Sequence, residues 1–160
     1  MFENLITDRT ILDYNRWREL RDKGYENMTE AERAEWRGDM KGAYNASDLN
    51  RVGGVLNYLR DRLTNAGYLG GNEFAMRVDW AAGEIPSAAQ VTAYLGAVKT
   101  VREALAQKDT TPPAPENIGS LDYIGANNIE IILIDIDEVI TKMRAARFFF
   151  GDLFCGEIGG

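Results

Sequence analysis

The chain has 160 residues, with 18 Lys and Arg against 25 Asp and Glu, a net charge of −7, and 45% hydrophobic residues. This is ordinary globular composition, enough for one domain with its own core or for two small helical lobes. There is no histidine and a single cysteine, Cys155, which excludes Ser-His-Asp and Cys-His relays, histidine metal sites, an internal disulfide and a CxxC zinc site. The acidic balance argues against a nucleic-acid partner, because backbone binding needs a cationic surface to release counterions.

MFENLITDRT has no cationic stretch followed by an apolar run, so synthesis in a bacterial-type cytoplasm without export is expected. The first helix is predicted to start on Thr7 or Asp8 and run to Lys23, stopped by Gly24, with Ile11, Tyr14, Trp17 or Arg18, and Leu20 on one stripe. Thr29-Glu30-Ala31-Glu32 reads as a capping box opening a short helix to about Met40. Ser47 is expected to cap a strong helix, Asp48–Ala66, closed by Gly67, with Leu49, Val52, Val55, Leu56, Leu59 and Leu63 facing a core. Gly53-Gly54 inside that helix costs about 1–2 kcal/mol relative to alanine. Either something packs close to that backbone or the cost is tolerated.

Phe74, Met76 and Val78 alternate as a short extended segment would. The next helix is predicted from Ser87, just after Pro86, and carries Val91, Tyr94, Leu95, Val98, Val101 and Leu105. The run from Asp109 to Glu116 is a proline-rich, stiff connector. A last long helix is predicted over about Ile124–Ala146, with Ile129, Ile132, Leu133, Ile136, Val139, Ile140 and Met143 on its stripe. Its apolar run, Ile129–Ile140, also partly alternates as a strand would. That run is too short and too charged to span a membrane. Ile131 and Ile134 fall off the stripe, as in a helix covered on a second side. The three long helices align on Val52, Val91 and Ile129, either as a repeat of about 40 residues or because any amphipathic helices can be so aligned.

The predicted fold is therefore all-α: a small bundle of two short and three long amphipathic helices with an extended C-terminal arm. Its segments are a helical domain over 1–107, a proline-rich linker over 108–120, the long helix over 121–147 and the arm over 148–160. The arm, with Phe148, Phe149, Phe150, Leu153, Phe154 and Ile158, reads as an interaction site that docks on a neighbour, or as a tail folded back on its own helices. Ile131, Ile134 and these arm residues are the expected partner interface.

No catalytic, cofactor-binding or metal-ligating set emerges. Asp135, Asp137 and Glu138 are acidic neighbours, but Asp137 points away from the other two and Glu138 can pair with Lys142, as on a solvated helix face. Ser47 and Ser87 have no base and read as caps. Trp17, Trp36 and Trp80 read as core anchors, with a sugar-stacking platform as the alternative. Cys155 has no cation beside it in sequence and reads as an inert thiol.

Three stretches taken together, NLITDRT (4–10), MKGAYNASDLNRVGGVLNYLRDRL (40–63) and VDWAAGEIPSAAQVTAYLGAVKTVREAL (78–105), resemble a family of small proteins. These are encoded in the tail modules of phages and prophages of Gram-positive bacteria. Leu121, Tyr123, Ala126, Asn127, Ile129 and Glu130, with the closing GDLFCGEI, are similar to that family's C-terminal pattern. The chain departs from it at Ile124 and at Cys155, where hydroxyl residues are usual. The resemblance implies a virion structural protein of the tail tip, baseplate or fibre attachment, made in the host cytoplasm. It would assemble in several copies with other tail, baseplate or fibre proteins, without enzymatic activity, cofactor, nucleic acid or membrane. A fibre-assembly chaperone and a carbohydrate-binding module are the alternatives.

Overall fold

The computed structural model describes residues 1–70, 74–117 and 121–154, with side chains up to Ala146. Its α-helices are α1 (Ile11–Lys23), α2 (Glu30–Arg37), α3 (Ala46–Asn65), α4 (Ala88–Glu103) and α5 (Tyr123–Phe154). Single 3-10 turns occupy Phe2–Asn4 and Tyr25–Asn27, and no strand occurs among the described residues.

Each of the first four helices opens on a reciprocal cap, in which the cap side chain accepts from the third helical amide and that residue's side chain reaches back. Thr29 with Glu32 and Ser87 with Gln90 lie where the sequence places them. The other two differ. The α1 cap is Thr10, not Thr7 or Asp8. Residues 5–9 instead pass along α5, and the Arg9 side chain is buried. The α3 cap is Asn45, whose Oδ1 accepts from the amides of Ser47 (3.0 Å) and Asp48 (3.2 Å). Ser47 lies within the first turn and donates its hydroxyl to the same oxygen. At α5 the Asp122 carboxylate accepts from the Gly125 amide at 2.8 Å, one turn into the helix. α2 ends at Arg37 with Gly38 as its cap, short of Met40.

α3, α4 and α5 pack against one another around the main core. The predicted stripes supply it: Leu49 through Leu63 from α3, Tyr94 through Val101 from α4, and Ile129 through Ile140 from α5. The run from Ile129 to Ile140 is helical, which decides the helix-or-strand ambiguity. Leu105, just past α4, is buried, Val91 and Val139 are partly buried, and Met143 is exposed. α1 and α2 form a smaller lobe over buried Leu20 and Met28. Arg16–Glu35 and Lys23–Glu32 ion pairs join its two helices. As exposed or half-exposed pairs they contribute little individually.

The segment 74–80 is extended yet pairs with no strand. Two asparagines on α3, two turns apart, take the place of a neighbouring strand. Asn57 donates to the Met76 carbonyl (2.9 Å) and accepts from its amide (2.8 Å). Asn50 does the same for Trp80 at 2.9 and 2.8 Å. Between the two asparagines, Gly53 lets the segment lie close: a Cβ there would sit 2.9 Å from the Arg77 carbonyl oxygen.

The proline-rich connector after α4 has no helix or strand among its described residues and is tied to its neighbours. Arg102 Nε donates to the Pro112 carbonyl (2.7 Å), and the Thr111 hydroxyl donates to Asp135 (2.7 Å). α5 continues past Ala146 to Phe154, so the first part of the expected arm (148–154) has helical backbone. The rest of it, 155–160, including Ile158, lies outside the described residues.

Candidate functional site

α5 carries three features at different heights: a buried ion cluster near its start, a surface ion cluster at its middle, and an end that outruns the bundle.

The buried cluster joins Arg9, Asp48, Arg51 and Glu130. Arg9 Nη2 lies 2.7 Å from both Asp48 Oδ1 and Glu130 Oε1, with all three side chains at most 3% exposed. Arg51 Nη2 donates to Glu130 Oε1 at 2.8 Å and also to Asp48. The other Glu130 oxygen accepts from the Ile6 amide at 2.6 Å, and the other Asp48 oxygen from the Asn45 amide at 2.9 Å. Arg9 Nη1 donates to the Ile6 carbonyl. Two cations thus face two anions, and every carboxylate oxygen is engaged. Asn127 adds a clamp, accepting from the Arg9 amide (3.1 Å) and donating to its carbonyl (2.9 Å). The cluster therefore staples residues 6–9 onto α3 and α5. Beside it the Tyr44 and Tyr94 hydroxyls meet at 2.5 Å. Burial pushes both phenols well above their ordinary pKa, and the Asp48 and Glu130 charges add to the shift.

The surface cluster holds the acidic neighbours. Asp135 accepts from Lys108 and Thr111, both at 2.7 Å. Burial opposes its ionisation, but those two bonds outweigh it and hold the carboxyl below its ordinary value. Glu138 pairs with Lys108 and, as expected, faces Lys142 at 3.7 Å. Asp137 is directed elsewhere, to Arg62 on α3. These acids anchor the connector and α3 to α5. Among the described residues no group of acids or cysteine is placed to hold a metal ion.

The residues expected at a partner interface fall in two places on α5, Ile131 and Ile134 in its bundle half and Phe148–Phe154 at its end. Ile131 is half-buried and Ile134 is 36% exposed. Ile140 is buried, and every residue from Thr141 to Ala146 is exposed. From Thr141 to Phe154 the helix extends by about 21 Å, at 1.5 Å per residue. Phe148, Phe149, Phe150, Leu153 and Phe154 belong to this stretch by backbone, and their side chains lie outside those described.

The tryptophans have separate roles. Trp80 is part of the 74–80 segment packed on the core, with the Arg77 guanidinium 4.3 Å from its ring centre. Trp17 packs on Tyr14 of the same helix. A groove of about 890 Å³ runs between the outer face of α4 and the connector, lined among others by Val91, Leu95, Lys99, Pro113 and Pro115.

Sequence reasoning missed the buried cluster. Its local trace is Glu130, a charge set between Ile129 and Ile131 in an apolar run. Nothing local identifies Arg9 as its partner. Comparison with protein-family models, curated proteins and solved structures finds no match. Among the described residues no helix is long and apolar enough to cross a membrane.

Proposed function

We propose that this chain is a structural component of a phage tail, in the tail-tip, baseplate or fibre-attachment region, and that it works by protein–protein assembly. The observation that carries the reading is the end of α5. A helix that is core-forming as far as Ile140 continues for about 21 Å beyond it, through exposed residues into a Phe-rich sequence. A helix that runs on past exposed residues into an apolar sequence is suited to burial against another chain. The resemblance of the N-terminal, α3, α4 and α5 stretches to small tail-module proteins supplies the context. The acidic, histidine-free composition agrees with a binding role. Ile134 and the Phe148–Phe154 stretch form the docking element in this reading.

The test is deletion of Phe148–Gly160 in the phage that encodes the chain. The truncated protein is expected to fold, because Ile140 is the last buried residue among those described, and to be missing from purified particles by mass spectrometry. Unchanged incorporation of the truncated chain would refute the docking role. Absence of the full-length chain from mature particles would favour the assembly-chaperone alternative.

A further inference from the structure

The surface between the 74–80 segment and the start of α4 carries little charge. From Ala81 to Val98 the only charged residue is Glu84, and it is paired with the Arg77 guanidinium at 2.9 Å. Charge is depleted in this way at the centre of protein interfaces. Two features stand side by side on this face. One is a pocket of about 220 Å³ with an apolar wall of Leu49, Met76, Trp80, Pro86, Val91 and Tyr94. Exposed Ala75 and Ala93 also line it, so it opens to the surface. The other is Ile85, next in sequence to Pro86 of the pocket wall. Ile85 is 89% exposed, more than any other large hydrophobic residue among those described.

We propose that this face binds a second copy of this chain about a twofold axis, with Ile85 of each copy seated in the pocket of the other. The contact is separate from the α5 extension and independent of the tail assignment.

Three observations select the second copy. The first is fit. A cavity of about 150 Å³ holds a benzene ring, so this pocket has room for an isoleucine side chain. A foreign partner would need the pocket alone, yet the chain also carries the matching side chain beside it, as a self-complementary contact requires. The second is rigidity. Gly83, at φ 86°, turns the chain. The Glu84 amide donates to the Ala81 carbonyl at 3.1 Å, and the Glu84 carboxylate accepts from the Ala81 amide at 2.8 Å. Pro86 then restricts both its own backbone and that of Ile85, and Ser87 caps α4. A side chain presented on so fixed a turn loses little freedom on binding. The third is charge. Each copy carries a net charge of −7, so two copies repel in general. On this face one carboxylate, already held by Arg77, is all that the stretch from Ala81 to Val98 contributes. A twofold contact uses the same patch on both copies and closes on itself, giving a dimer rather than a filament.

Sedimentation equilibrium of the full-length chain is expected to give twice the chain mass. Ile85→Asp removes the inserted side chain, and Ala93→Phe obstructs the pocket. Both positions are exposed, so each variant is expected to keep its helical circular dichroism and to sediment at one chain mass. An equimolar mixture of the two is the decisive arm. The Ala93→Phe chain still offers Ile85, and the Ile85→Asp chain still offers an open pocket, so one of the two contacts re-forms and dimers partly return. Deleting Phe148–Gly160 is expected to leave the dimer intact. A chain that stays monomeric at every concentration, a dimer that either substitution leaves unchanged, a mixture without recovery, or loss of the dimer on that deletion would overturn the proposal. Incorporation of the truncated chain into particles reads the tail assignment separately, so either proposal can fail while the other stands.

Discussion

Gly53 lies directly beneath the backbone of Arg77, with room for a hydrogen and not for a methyl group: an added Cβ would stand 2.9 Å from the Arg77 carbonyl oxygen. Its neighbour Gly54 meets nothing within 4 Å. The two adjacent glycines therefore have opposite expectations. Gly53→Ala should destabilise the protein by pushing the 74–80 segment off α3. Gly54→Ala should stabilise it by about 0.5–1 kcal/mol, the usual gain from alanine in a helix interior. Urea unfolding of the two variants checks the pair, and equal effects of the same sign would contradict it.

Glu130 is fully buried between two guanidinium groups and the Ile6 amide. Its removal leaves buried positive charge without its partner, so Glu130→Ala should cost about 3–5 kcal/mol. The N-terminal segment should also lose its protection from hydrogen exchange. A loss under about 1 kcal/mol would mean that the cluster is more hydrated than its burial indicates.

The α3 cap separates two adjacent polar residues. Asn45→Ala removes an acceptor shared by two amides and a hydroxyl and should cost about 1 kcal/mol. Ser47→Ala removes only the hydroxyl donated to Asn45 and should cost a few tenths. Thermal unfolding of the two single variants distinguishes them.

Asp135 gives an acid-side prediction. Its carboxyl is held below the ordinary value in the folded state. The stabilisation is therefore complete above the unfolded value, near 4, and is lost as the pH falls through the lower folded value. The connector, tied to Asp135 through Lys108 and Thr111, should loosen in that window. Backbone NMR of residues 108–115 during acidification would follow it. Asp135→Asn should show the same loosening at neutral pH.

Local pattern carried the bundle. The α3, α4 and α5 stripes, the Thr29 box and the Ser87 cap all lie within a few residues of sequence, where periodicity and capping chemistry act. The buried cluster was invisible because Arg9 is separated from its partners Asp48 and Glu130 by 39 and 121 residues, and no local period links them. Asn50 and Asn57 were hidden differently: two polar residues seven apart on a helix look like a solvated face, yet here they replace a strand edge. The last helix, expected to end near Ala146, continues to Phe154 through Gly151, whose helix penalty of about 1 kcal/mol is small enough for a long helix to absorb.

The Glu130 and Asn127 clamps on residues 6–9 also set a schedule for biosynthesis. Ile6 is translated 124 residues before Glu130, and Arg9 118 residues before Asn127. At about 5–20 residues per second residues 6–9 wait ~6–25 s after their own synthesis for their fastening to be made. Residues 6–9 are thus fastened late: α5 secures a segment made 118–124 residues earlier, and a ribosome stalled before α5 would carry that segment unfastened.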